Sequence, residues 1–309
     1  MKAYVRDTDY RQAIRQRFND TVTLVEDKHE AHIIITGHFT AADAGKALKA
    51  VIIPYTGHDR IDLEALRIQG VALFNTTVHS RYVAEKAVQL MHALLGNVVN
   101  YHQNLAHGDW SNRMNDDRVR WASAFGKKVG IYGYGRIGQI IHDLIKPFSP
   151  EVYVLNRGKS YQDATALNTL HELIDQSDIV FIAAPKTATT EGAFNRDALA
   201  RMQGKHLINV GRGPIVDEDA LFWALKTGVL KGFASDVWYQ YPQDDIPRYP
   251  SKHPLQAFPN VIMSPHCAAM TPNAPDEMRQ AVLDHMDAIM KGDLSGALDL
   301  SKLVMEASS

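Results

Sequence analysis

The chain has 309 residues, room for two domains at the usual ~100–200 residues each. Apolar residues make up 45% and charged residues 22%, and 33 Lys and Arg face 35 Asp and Glu for a net charge of −2. That balance argues against a basic nucleic-acid surface, no apolar run approaches the ~18 residues of a membrane span, and the single cysteine, Cys267, rules out an internal disulfide.

In chain order, residues 2–5, 22–25, 32–36, 50–54 and 71–74 read as short strands, with helix-like stretches such as 9–18 and 63–69 between them. Alternation of this kind points to an α/β fold with a parallel sheet and helices on both faces. Residues 82–101 follow as one predicted helix, apolar around most of its circumference from Val83 and Ala84 to Val98 and Val99. Such a helix must be covered on most sides. A second copy of the chain is the expected cover, and a helix central to one large domain is the alternative. Strands then resume at 128–132, 151–155, 179–183, 206–210, 232–234 and 261–264. Residues 272–292 read as a further helix with Met278, Val282, Met286 and Ile289 on one face, returning the chain to its first half. The expected domains are 1–99 plus 271–309, discontinuous, and 100–270. The first ten residues lack the apolar core of a secretion signal, which with the lone cysteine fits the cytoplasm. The histidines show no metal-binding spacing, so no metal is expected.

The predicted strand 128–132 runs into Gly133-Tyr134-Gly135-Arg136-Ile137-Gly138, with a helix from Gln139. Gly133 permits a tight turn, Gly135 lets backbone approach a pyrophosphate, and Gly138 lets helix and strand pack closely. The phosphates then meet free N–H groups at the helix start. Dinucleotide binding is the expectation, with a glycine-rich turn of an ordinary α/β fold as the bland alternative. The next strand ends Asn156-Arg157-Gly158-Lys159-Ser160, where an acidic residue would hold the ribose 2′-hydroxyl of NAD. No carboxylate stands there. Asn156, Arg157, Lys159 and Ser160 offer donors to a 2′-phosphate, so NADP is favoured over NAD.

Several stretches together resemble the D-isomer-specific 2-hydroxyacid dehydrogenases. They are Val83-Ala84-Glu85, the loop Gly133 to Gly138, the run from Pro185 through Thr187 to Thr190, Asn209-Val210-Gly211-Arg212-Gly213-Pro214, Ser235-Asp236-Val237-Trp238, and Ser264-Pro265-His266. Their order and spacing match over nearly the whole chain. The resemblance implies two flavodoxin- or Rossmann-like doubly wound domains with parallel sheets and an active site in the cleft between them. It makes 1–99 plus 271–309 the substrate-binding domain and 100–270 the dinucleotide-binding domain, in a homodimer built on the helix at 82–101. It implies that Arg212 binds the substrate's carboxylate and carbonyl oxygen, and that His266 passes a proton to that oxygen and takes it back. Asp236 would hold the nicotinamide carboxamide, Pro185, Thr190, Val210 and Gly211 would line the cofactor, and the loop Tyr55-Thr56-Gly57-His58 would offer N–H groups to the carboxylate.

Reaction chemistry independently favours these residue types. A forked, permanently charged guanidinium stabilises a developing alkoxide and clamps a carboxylate. Histidine titrates near neutrality and is the default proton donor. On their own, an Arg in a glycine turn and a His after Pro are more often ordinary surface or loop residues. Cys267 is expected to be a small buried residue, not a nucleophile.

One departure stands out. Members of the family usually place Glu five residues after the Asp, beside the histidine, where it raises the histidine's pKa. Here that position is Tyr241. Gln240, Asp244 and Asp245 are the other residues able to serve, and the sequence does not choose among them. The leading expectation is an NAD(P)-dependent reductase of a small 2-oxo acid such as glyoxylate or hydroxypyruvate. A formate- or phosphite-oxidising relative is the alternative, although formate dehydrogenases carry a longer N-terminal segment. A dinucleotide-sensing corepressor-like protein is a third reading, disfavoured because no added interaction segment is visible.

Overall fold

The structure is a computed structural model and describes residues 1–113, 120–156, 158, 161–242 and 246–308. It divides into two compact units, Met1–Ser80 with Ala269–Ser309, and Arg81–Ala268. The division falls at Ser80, ahead of the helix that the sequence pattern keeps with the first unit.

In the first unit, β1 (Lys2–Tyr4) leads through α1 (Thr8–Phe18) to β2 (Thr23–Leu24), and β3 (Ile33–Ile35), β4 (Ala50–Ile53), α2 (Leu63–Gln69) and β5 (Ala72–Asn75) follow. The sheet is parallel, in the order β2-β1-β3-β4-β5. Every residue of β3 and β4 is buried, as expected of strands covered on both faces. The winding reverses between β1 and β3. Their carboxyl ends therefore border the crevice that a doubly wound sheet leaves open.

The second unit begins with α3 (Ser80–Leu95) and α4 (Val98–Ala106). The predicted single helix over 82–101 is therefore two helices. Apolar periodicity runs on across the junction, but Gly96 and Asn97 break it, with Asn97 at φ 51°. Asn adopts this left-handed conformation more readily than most residues. The break is closed by N–H groups of Gly96 and Asn97 on the carbonyls of His92 and Leu94, at 2.8 and 3.2 Å. Ala84, Ala87 and Met91 of α3 are fully buried, whereas Val98 and Val99 of α4 are exposed.

The core of this unit is β6 (Val129–Tyr132), α5 (Arg136–Ile145), β7 (Val152–Leu155), β8 (Thr165–Leu167), α6 (Leu170–Gln176), β9 (Ile179–Ile182), α7 (Arg196–Ala200), β10 (His206–Asn209), α8 (Glu218–Lys226), β11 (Gly232–Ser235) and β12 (Val261–Met263). The parallel order is β12-β11-β10-β9-β6-β7-β8, so the winding reverses between β6 and β9, at the end of β6 where the glycine loop begins. The edge strand β8 escapes the sequence reading because it is short and largely exposed. Phe181, Phe194 and Phe233 are fully buried in the centre. Each such side chain is worth roughly 1.5–3 kcal/mol of burial.

The chain returns to the first unit through α9 (Ala274–Met290), which buries Val282, Leu283, Met286 and Ile289 with Ile14, Phe18 and Phe74. A last helix, α10 (Leu300–Ser308), absent from the sequence reading, packs Leu300, Leu303 and Val304 beside Leu66 and Leu73. No helix among the described residues is long and apolar enough to cross a membrane.

Candidate functional site

The three glycines after β6 are required for three different reasons. Gly133 has φ +103°, and a Cβ there would lie 2.4 Å from the Ala184 backbone nitrogen. At Gly138 a Cβ would lie 2.2 Å from the Gly133 carbonyl oxygen, whereas at Gly135 it would meet nothing within 4 Å. Gly135 thus leaves an open approach to the start of α5, and no side chain caps that helix. Free N–H groups and the positive end of the helix dipole face this opening, a fit for a pyrophosphate.

Around the loop, Tyr134 Oη and His142 Nδ1 lie 2.5 Å apart, and the Tyr134 ring meets Tyr161 edge-on. Burial raises the Tyr134 phenol and lowers the His142 imidazole. Asn156 uses its carboxamide oxygen to accept the Gly158 N–H at 2.9 Å. Arg157, Lys159 and Ser160 lie outside the described residues. In the loop after β9, Thr190 Oγ1 donates to the Pro185 carbonyl at 2.7 Å and accepts from the Thr187 N–H at 2.8 Å.

Arg212 follows β10. The Asn209 side chain accepts from the Gly211 N–H and donates to the Arg212 carbonyl, both at 3.0 Å, which holds the turn. A Cβ at Gly211 would lie 2.6 Å from the Ala184 carbonyl oxygen, and one at Gly213 would lie 2.3 Å from that of Trp238. The backbone on each side of Arg212 is thus pressed against the chain beyond β9 and β11, and Val210, just before it, is buried. Arg212 is itself half-buried, and its Nη1 donates to the Gly211 carbonyl at 2.8 Å.

His266 lies in the turn after β12, at φ +56°. Such a conformation costs a non-glycine residue about 1–3 kcal/mol and persists only where its surroundings enforce it. The buried carboxylate of Asp236 does so. Its Oδ1 accepts from Ser264 Oγ at 2.6 Å and from the Cys267 N–H at 3.0 Å, and Oδ2 accepts from the Ala268 N–H at 3.0 Å. Trp238 Nε1 adds a bond to the Ser264 carbonyl at 2.8 Å. Asp236 therefore has a structural role that the sequence reading did not contain, and one acceptor position remains on Oδ2. Cys267 is half-buried, with its Sγ 3.4 Å from Ser264 Oγ.

Burial pushes the His266 pKa down, Arg212 pushes it the same way, and Asp236 opposes them. Among the described residues no group hydrogen-bonds the imidazole. The Tyr241 ring faces it, with centroids 5.3 Å apart and planes tilted by 48°. Tyr241 Oη accepts from the Trp238 N–H at 3.0 Å. Gln240 binds the Pro250 carbonyl through its backbone N–H, and Asp244 and Asp245 lie outside the described residues.

In the first unit, Tyr55, Thr56 and Gly57 follow β4. Tyr55 Oη donates to the Gly37 carbonyl at 3.2 Å, and Thr56 Oγ1 donates to the Thr76 carbonyl at 3.2 Å with His79 Nε2 at 3.1 Å. Asn75 Nδ2 donates to the Thr56 carbonyl at 2.8 Å. Asn75, His79, Asn209, Ser235 and Ser264 were not anticipated as supports. A usable signal existed for three of them: Asn75, Asn209 and Ser235 are polar residues closing apolar strands.

The model of the D-isomer specific 2-hydroxyacid dehydrogenase, NAD binding domain, matches residues 88–268, more than half of the chain. The chain is 30% identical to a glyoxylate reductase of Thermofilum pendens over 89% of its own length and 79% of the relative's. It is also 30% identical to the mitochondrial formate dehydrogenase 2 of Oryza sativa, over 86% of its length and 73% of the relative's. Among solved structures, the NADPH-dependent glyoxylate/hydroxypyruvate reductase of Sinorhizobium meliloti, in complex with NADP and malonate, superimposes with a TM-score of 0.77 at 26% identity. That match covers 93% of this chain and 92% of the other.

Replacing Asp236 leaves three buried or half-buried donors without their acceptor. The expected outcome for Asp236→Ala is an unfolding free energy lower by roughly 2–4 kcal/mol in urea, since an unsatisfied buried donor costs ~1–3 kcal/mol. A variant as stable as the parent would show that other contacts hold the turn.

Proposed function

The chain belongs to the D-isomer specific 2-hydroxyacid dehydrogenases, NAD(P)-dependent oxidoreductases acting on CH–OH donors, and on that premise we propose that it reduces a small 2-oxo acid to the D-2-hydroxy acid, with NADP preferred. The observation that carries this reading is the pair formed by Arg212 and His266. Each is held in a constrained turn of the same unit, Arg212 between two glycines pressed against neighbouring backbone and His266 in the turn tied down by Asp236.

The bound dinucleotide would supply the hydride. Gly133, Tyr134, Gly135, Arg136, Ile137 and Gly138 hold its pyrophosphate, with Pro185, Thr190, Val210 and Gly211 beside it. Asp236 offers its remaining acceptor position to the carboxamide. Arg212 binds the carboxylate and the carbonyl oxygen, where negative charge develops during reduction. His266 donates a proton to that oxygen and recovers it in oxidation. Tyr55, Thr56 and Gly57 anchor the carboxylate. Preference for NADP rests on the absence of a carboxylate between Asn156 and Ser160 and on the cations Arg157 and Lys159. A cytoplasmic location belongs to the same reading, supported by the single cysteine, Cys267.

A homodimer through α3 and α4 belongs to the same reading, supported by the exposed apolar side chains Val98, Val99 and Leu105 of α4. Light scattering at micromolar concentration should return twice the monomer mass, and a monomer would reject this assembly.

The direct test of activity is a screen of 2-oxo acids with NADPH and NADH, with formate and NADP+ as a separate arm. Turnover of one or more 2-oxo acids is expected, with kcat/KM higher for NADPH. His266→Ala should lower kcat by about 10²–10⁴-fold, the usual range for a proton-transfer group, and Arg212→Ala by about 10²–10³-fold or more, the range for losing a stabiliser of developing charge, while the protein still binds cofactor. Formate oxidation without oxo-acid reduction, or near-parental rates in either variant, would overturn the assignment.

A further inference from the structure

We infer that the first unit carries a binding site for a small carboxylate or phosphate anion, in the pocket above the carboxyl ends of β1 and β3, with Arg6 as its principal contact. The pocket has a volume of about 410 Å³, within the roughly 300–1,000 Å³ of small-molecule sites. It lies where the strand order reverses, the position at which doubly wound sheets receive ligands. Its walls come from the end of β1 with Tyr4 and Arg6, from Lys28, from the chain after β3 with Gly37, and from Asp43 and Pro54.

The charges around it are unequally engaged. The Asp7 carboxylate caps α1 by accepting the N–H groups of Asp9 and Tyr10. Asp43 accepts from the Lys28 ammonium and from both the N–H and the hydroxyl of Thr40. Asp43 and Lys28 are thus paired with each other, and Asp7 is engaged through one oxygen by the helix cap. Arg6 differs. Its Nε donates to Tyr4 Oη at 2.9 Å, and its two terminal nitrogens make no hydrogen bond among the described residues. An exposed guanidinium anchored through Nε and open at the fork matches the two oxygens of a carboxylate or phosphate.

The pocket adjoins the turn after β4. A Cβ on Gly37 would lie 1.8 Å from Tyr55 Oη, so only glycine lets that hydroxyl meet the Gly37 backbone, which lines the pocket together with Pro54. The anion can therefore be the far end of a substrate whose oxo-acid end rests on Tyr55, Thr56 and Gly57, or a separate ligand. The first source rests on the function proposed above; the second does not.

Calorimetric titration of the whole protein with succinate and with inorganic phosphate tests the site without requiring turnover. Arg6→Gln removes the charge and keeps a donor for Tyr4. It should weaken binding roughly tenfold to hundredfold, the loss of one charged hydrogen-bonded contact. Arg15→Ala, on an exposed part of α1 outside the pocket, should not. The second arm compares kcat/KM for 2-oxoglutarate with that for pyruvate. A ratio at least tenfold lower in Arg6→Gln identifies the anion as the substrate's far end. An unchanged ratio with weakened succinate or phosphate binding identifies a separate ligand. If the parent binds neither probe at millimolar concentration and the ratio is unchanged, or if Arg6→Gln binds as the parent does, the site is refuted. Failure of oxo-acid reduction alone leaves the calorimetric result standing and counts only against the proposed activity.

Discussion

One buried carboxylate holds the candidate proton donor in place. Asp236 sits at the end of β11, beneath the turn that follows β12, and gathers Ser264 Oγ and the N–H groups of Cys267 and Ala268 around His266. Without those bonds a histidine at φ +56° has no reason to stay there. Burying an anion is costly unless it is fully hydrogen-bonded, and here the bonding partners are the turn itself. The stability of the turn and the solvation of the acid are one requirement. Trp238 extends it, with its indole on the Ser264 carbonyl and its N–H on Tyr241 Oη.

The same arrangement sets the electrostatics of the imidazole. Burial disfavours its charged form, Asp236 opposes that, and Arg212 adds a smaller push in the direction of burial. Beside the imidazole this chain presents the ring of a tyrosine. Tyr241 supplies packing but no negative charge, and its hydroxyl oxygen already accepts a backbone N–H. His266 should therefore hold its proton less firmly than a carboxylate-paired histidine.

Much of this was legible in the sequence because it is local. Strand–helix alternation placed the strands to within a residue or two, apart from β8, and the spacing of Gly133, Gly135 and Gly138 stated three backbone needs that the structure displays separately. The break at Gly96 and Asn97 was missed because apolar periodicity continues across it while two residues of turn chemistry decide the backbone. The short edge strand β8 and the terminal α10 carry too little periodicity to be recognised. At the site, Arg212 and His266 stood out as residue types within motifs. The holding role of Asp236 was not legible, because three donors separated from it by about thirty positions converge only when β11 and β12 pair.

The pH dependence of reductive kcat/KM tests most directly whether a histidine with no carboxylate hydrogen-bonded to its ring donates the proton. Reduction needs the proton-carrying imidazole. With burial holding the His266 pKa below its ordinary ~6.5, the descending limb should begin below that ordinary value, and Tyr241→Glu should move it to higher pH. Full reductive kcat/KM in the parent up to pH ~9, or a limb that Tyr241→Glu leaves in place, would contradict proton donation by His266 in this setting.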